Sequence, residues 1–216
     1  MNRIQLYFSP LACSMATRIA LYEAGAQATY TEVDPKTKRT SEGEDFRTIH
    51  PLGLVPTLRT EEGTLITENA AILQYVARQY PQAKLAPEGG LAHARLQQWL
   101  CFIGTELHKA LFVPLLDEKA PEAVKTYASQ KEASRLGFVN EHLSGREFLL
   151  DDFSIADGYL FTVLGWSRAT SVDLTKWPAI GAYLARLRER PSVAKAHAEE
   201  LELYKLEKAR HVASAH

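Results

Sequence analysis

Cys13 stands where an apolar strand pattern gives way to a helical one, a junction at which a thiol can be reactive. Ile4-Gln5-Leu6-Tyr7-Phe8 reads as a strand, Ser9-Pro10-Leu11-Ala12 as a loop, and Ser14 to Ala24 as a helix closed by Gly25. The unpaired N–H groups and the positive dipole end of a helix start both favour thiolate, the nucleophilic form. The competing reading is a small buried apolar residue, the usual fate of free cysteine. Ser14 serves either as a helix cap or as a hydroxyl donor to a sulfur anion.

Three further stretches carry chemistry. Val55-Pro56 follows Gly53 on the approach to a strand, where a proline-bounded backbone can present N–H and C=O groups to an extended peptide. Thr67-Glu68-Asn69 opens a helix, and free N–H groups at a helix start suit a carboxylate. Lys36, Lys38 and Arg39 form a basic loop, in the simplest case a solvated one. Further on, Cys101 and His108 lie seven residues apart, two turns of an α-helix and hence one face. No CxxC, HExxH or P-loop pattern is present, so metal ligation and nucleotide phosphate binding have no sequence signal.

The elements that hold these residues fall into two grammars. Up to about residue 80 the order is β-α-β, a polar stretch, then β-β-α, with Glu61-Glu62-Gly63 as a hairpin turn between Val55–Thr60 and Thr64–Thr67. Pro81 to Gly90 reads as a linker, and residues 91–216 as an all-helical domain. There Leu91 to Phe112 is one helix stopped before Pro114, and another runs from Pro121 towards Ser144-Gly145. Ser154-Ile155-Ala156-Asp157 has the form of a capping box. The stretch from Lys205 to His216, with its two late histidines, reads as a frayed end.

Composition narrows the function classes. The 216 residues are 46% hydrophobic and 24% charged with a formal net charge of −1, so no basic field exists to hold nucleic acid. No segment reads as the roughly 20 apolar residues of a membrane span, and no signal-peptide pattern opens the chain. Two cysteines far apart give no basis for a disulfide framework and point to a reducing cytoplasm.

Taken in order, Phe8-Ser9-Pro10-Leu11-Ala12-Cys13-Ser14, Gly53-Leu54-Val55-Pro56, Glu68-Asn69 and Ser154-Ile155-Ala156-Asp157 closely resemble the cytosolic glutathione transferases. Pro10-x-x-Cys13-Ser14, Val33-Asp34, Lys38 and Thr105-Glu106-Leu107-His108-Lys109 resemble the bacterial beta class in particular. The resemblance implies a thioredoxin-like α/β domain over residues 1–80 that binds glutathione, and a helical domain that forms the electrophile pocket. It implies glutathione as co-substrate with no further cofactor, and a homodimer. It places Cys13, Ser14 and His108 at the glutathione sulfur. Val55, before a cis Pro56, is placed on the cysteinyl unit, Glu68 and Asn69 on the γ-glutamyl end, and Lys38 on the glycyl carboxylate. Lys109 raises the local positive potential, and Phe112 and Trp166 wall the electrophile pocket. Cys101 stands where the family commonly has asparagine, and Leu52 and Leu54 replace polar residues usual in their loop. Tyr7, aligned with the catalytic tyrosine of animal classes, reads here as packing. The main reading is conjugation of glutathione to small hydrophobic electrophiles, with thiol–disulfide exchange through Cys13. The alternatives are a monothiol glutaredoxin-like reductase and a non-catalytic binding protein on the same scaffold.

Overall fold

The computed structural model of the protein describes residues 3–213, which form two compact units. The first holds the sheet, the second only helices.

The first unit is built on strand β1 (Ile4–Phe8), four of whose five residues are buried. Helix α1 (Ser14–Glu23) crosses over to β2 (Ala28–Glu32), which pairs parallel to β1, with Ile4 opposite Ala28 and Phe8 opposite Glu32. A parallel partner needs such a crossover, and α1 supplies it. Strand β3 (Thr57–Arg59) lies antiparallel on the other side of β1, and β4 (Leu65–Thr67) closes the hairpin, giving the order β2-β1-β3-β4. Gly63 at φ +88° takes the left-handed turn position between β3 and β4, a conformation that costs glycine nothing. Helix α2 (Asn69–Gln79) packs on α1, and α1 is buried from Ser14 to Leu21.

The second unit begins with α3 (Gly90–Phe102), which continues as a π-helical segment, Ile103–Phe112, and then as α4 (Val113–Leu116). This one helix passes through Pro114 instead of stopping before it. The wider π turn explains why: the Val113 N–H reaches back five residues to the His108 carbonyl, so the ladder is already out of α register when the proline arrives. Helices α5 (Glu122–Ser129) and α6 (Glu132–Leu143) replace the single helix expected from Pro121 to Ser144. The Lys131 N–H bonds the Ala128 carbonyl, a tighter three-residue step that breaks the run. Then follow α7 (Ile155–Gly165) and α8 (Pro178–Arg188). By length and composition Gly90–Leu116 could cross a membrane, contrary to the sequence expectation. It also contributes Leu96, Trp99, Leu100, Ile103, Leu107, Leu111 and Phe112 to the buried core.

The last helix, α9 (Pro191–Ala213), belongs to the first unit and packs on α1, although the sequence reading grouped it with the helical domain. Nor is it frayed: Arg210 pairs with Glu32, and His211 Nε2 lies 2.7 Å from Asp34 Oδ2. Its buried stripe is Val193, Ala196, Glu200 and Glu207. Two glutamates in that stripe hide it from any reading of apolar periodicity. His216 lies outside the described residues.

The capping box of α7 is a buried hub. Asp157 accepts from the Leu149 N–H (2.9 Å), the Ser154 N–H (2.8 Å), the Ser154 hydroxyl (2.9 Å) and the Tyr183 hydroxyl (2.8 Å). Asp157→Ala leaves these buried donors without an acceptor and should cost about 3–5 kcal/mol of stability. Urea denaturation checks this, and an unchanged midpoint would show that the hub carries no such load.

Candidate active site

Cys13 caps the N-terminus of α1 at φ −58°, ψ −20°, already in helical conformation, and the residue is 8% exposed. Sγ lies 3.4 Å from the Val55 carbonyl, the hydrogen bond of a neutral thiol. The loop before it is held at several points. The Ser9 hydroxyl donates to the Val33 carbonyl, and the Ala12 N–H donates to the Ser9 carbonyl (3.1 Å). Leu11 sits at φ +59°, a left-handed conformation that costs a branched residue about 1–2 kcal/mol. Its N–H donates to Glu200 Oε2 of α9 at 2.8 Å.

Glu200 is fully buried, and Arg18 Nε lies 3.0 Å from its other oxygen, close enough to pair charges but not aligned as a hydrogen bond. Arg18 is itself buried, with its guanidinium over the rings of Phe8 and Tyr30, which meet edge to face, at 4.2 and 4.3 Å, and it also reaches Glu199 at 3.2 Å. Burial drives the Glu200 carboxyl above its ordinary range, while Arg18 and the Leu11 N–H pull it back.

The Val55–Pro56 peptide is cis. Just before it, Gly53 at φ +60° lies against the stem of Lys38: a Cβ there would come within 3.3 Å of Lys38 Cδ. Lys38 is half-buried and also left-handed, at φ +59°. Burial and the adjacent Arg47 push its ammonium below the usual range, against an opposing pull from Asp34. Glu68, at φ +68°, turns the chain into α2. Asn69 is buried; its Oδ1 accepts from the Thr17 hydroxyl at 3.0 Å, while its Nδ2 has no partner among the described residues. A buried amide N–H₂ at a helix start is an unmet donor suited to a carboxylate.

In the helical unit His108 is buried, and its Nδ1 lies 2.7 Å from the Tyr159 hydroxyl. The Trp166 ring meets the imidazole edge to face at 4.9 Å. Burial, with help from Lys109, lowers the His108 pKa to about 4, so the ring is neutral at pH 7.

Residues 12–79 match the family model of the glutathione S-transferase N-terminal domain, and residues 102–191 that of the C-terminal domain. Glutathione S-transferase GstA of Escherichia coli O157:H7 is 39% identical over 199 residues, covering 91% of this chain and 98% of its own. The chain belongs to the glutathione S-transferase family. Among solved structures, a bacterial transferase, BphK, in a ternary complex is 42% identical with a TM-score of 0.88. The bacterial beta class transferase of Sphingomonas chungbukensis is 42% identical with a TM-score of 0.87. Each covers 91% of this chain and 98% of its own.

This transferase departs from the sequence expectations at several positions. The Ser14 hydroxyl donates to the Ser9 carbonyl (3.2 Å) and accepts from the Ser9 N–H (3.3 Å), so it braces the loop and does not point a proton at the sulfur. Cys101 is exposed while His108 is buried, so the two do not share a face. The π segment between them, with its longer turn, breaks the α-helical phase on which that expectation rested. Phe112 is fully buried, with the Trp166 ring 6.1 Å away, and so packs behind Trp166 and does not itself line a wall. Lys109, Leu52 and Leu54 are exposed. Tyr7 packs with Phe46 and Val33; its hydroxyl donates to Gln5 (3.0 Å) and accepts from Arg59 (3.2 Å).

Four residues of consequence escaped the sequence reading: Arg18, Glu200, Thr17 and Tyr159. Nothing local in the sequence marks any of the four.

The neutral His108 of this transferase predicts a resonance that titrates near pH 4, with no inflection near 6.5 in its NMR pH profile. The sign for stability follows. The unfolded ring takes up a proton near pH 6.5 and the folded ring only near 4, so stability held above 6.5 is lost as pH falls between them. The loss is on the order of 3 kcal/mol. A folded-state midpoint above 6 would overturn the assignment.

Proposed function

We propose that this protein joins the thiolate of glutathione to small hydrophobic electrophiles, and that Cys13 adds glutathione-dependent thiol–disulfide exchange. The observation that carries the reading is the 3.4 Å contact between Cys13 Sγ and the Val55 carbonyl. It sets a thiol at the strip of backbone suited to take up a cysteinyl unit as an added strand. Asn69 Nδ2 and the first N–H groups of α2 suit the γ-glutamyl carboxylate, with Glu68 for the amine. Lys38, beside Arg47, suits the glycyl carboxylate. A sphingomonad relative, 41% identical, was solved with glutathione bound, which supports the same ligand here.

In conjugation the glutathione sulfur attacks the electrophilic carbon, a C–S bond forms, and the leaving group departs with the electron pair. Helix-start N–H groups stabilise the thiolate, whose proton passes to solvent. In exchange, the Cys13 thiolate attacks a disulfide that carries glutathione, forming a Cys13–glutathione mixed disulfide and releasing the other thiolate. A second glutathione thiolate then attacks the glutathione sulfur, releasing oxidised glutathione and restoring Cys13. Glutathione is a co-substrate in both, and no further cofactor enters. The protein is expected in the cytoplasm as a homodimer, which sedimentation checks.

Cys13→Ala should abolish exchange and retain conjugation. Loss of conjugation too would make Cys13 the holder of the glutathione sulfur. Mass analysis after oxidised glutathione should place an adduct of one glutathione on Cys13. Asn69→Ala should raise the KM for glutathione about tenfold with little change in kcat, the loss of one charged hydrogen bond. Failure to bind immobilised glutathione, with no turnover in either assay, would favour the non-catalytic binding reading.

A further inference from the structure

Glu200 enters no step above, yet its side chain reaches the backbone of the Cys13 loop from α9, 189 residues along the chain from Leu11. The carboxylate is fully buried and is used from both sides. One oxygen takes the Leu11 N–H at 2.8 Å; the other faces Arg18 Nε at 3.0 Å. Arg18 in turn is fixed by Phe8, the last residue of β1, and by Tyr30 of β2. The acceptor is therefore tied to the sheet, not to a flexible surface side chain. Leu11 needs such an acceptor, because φ +59° is a conformation its side chain disfavours. The next turn of backbone runs through Ala12, whose N–H bonds Ser9, to Cys13.

We propose that Glu200 is a positioning residue for Cys13: by holding the Leu11 N–H it keeps the loop in its left-handed turn and the Cys13 thiol against Val55. The argument requires an acceptor oxygen at this point more than a negative charge. The upward push that burial gives the carboxyl fits that requirement, and Glu199 remains to pair with Arg18 when the charge at 200 is absent. The inference rests on the reading of Cys13 as the thiol of the site, but its test does not depend on turnover.

The test is alkylation of the two cysteines by iodoacetamide, without glutathione, followed by peptide mass analysis across a pH series. Exposed Cys101, in the other compact unit, is the internal reference. With Glu200→Ala the loop relaxes and Cys13, 8% exposed in the wild type, opens, so its rate relative to Cys101 should rise at least fivefold. Glu200→Gln keeps an acceptor oxygen and should stay within twofold of wild type. Leu11→Gly removes the penalty at φ +59°, so adding Glu200→Ala to that background should change the Cys13 rate by less than twofold. The last comparison also serves if Glu200→Ala alone does not fold. A merely structural role would lower stability in Glu200→Ala with the Cys13 rate and its pH midpoint unchanged, which would overturn the proposal. So would a Gln variant that behaves like the Ala variant, or a Leu11→Gly background that does not relieve the effect. If wild type shows no glutathione turnover but the alkylation pattern holds, the functional reading fails and the positioning role stands.

Discussion

A guanidinium withdrawn from water must have its charge balanced and its flat faces covered, or its burial is prohibitive. Arg18 meets both demands within the first unit. Two aromatic rings cover it, one from β1 and one from β2, and two carboxylates of α9 stand at its edge. Such an arrangement is unforgiving, since removing one partner strands the others in a dry interior. It also ties four elements of separate sequence origin to one point: both parallel strands, the crossover helix and the last helix. The Cys13 loop leaves from that point, and its geometry is inherited from the pair.

Around the thiol, much of the recognition chemistry is main chain. Val55 offers its carbonyl, α2 offers its first N–H groups, and the side chains that matter most are short or pinned, as Asn69 is by Thr17. A site built this way tolerates changes in the outward side chains of its loops. Leu52 and Leu54 are two such side chains: both are exposed and neither packs into the unit. The cations behave differently. The stems of Lys38 and Arg47 both lie against Gly53, while Asp34 acts on the Lys38 ammonium and Asp45 stands 3.7 Å from the Arg47 guanidinium.

What the sequence disclosed is what short motifs encode. Cys13 at a strand-to-helix junction, the Val55-Pro56 approach and the Ser154–Asp157 cap each announce themselves within a few residues, and so does the order of strands and helices. Glu200 and Glu207 do not, because an acidic residue in a helix is read as solvated unless its partner, here nearly the whole chain away, is known. His108 looks like a lone histidine because Tyr159 is 51 residues distant. The Cys101–His108 phase failed for another reason: a π segment has no compositional signature, so a period of 3.6 was applied where the helix does not keep it.

The placement of α9 has a consequence for how the protein is made. The first unit is discontinuous, since its sheet emerges from the ribosome before the second unit and its helix α9 emerges after it. At roughly 5–20 residues per second, the 189 residues between Leu11 and Glu200 correspond to about 10–40 s of synthesis. Throughout that interval the thiol loop exists without its anchor and Arg18 without its counter-charges. The nascent chain thus carries an incomplete first unit until α9 has emerged, and it is α9 that closes it.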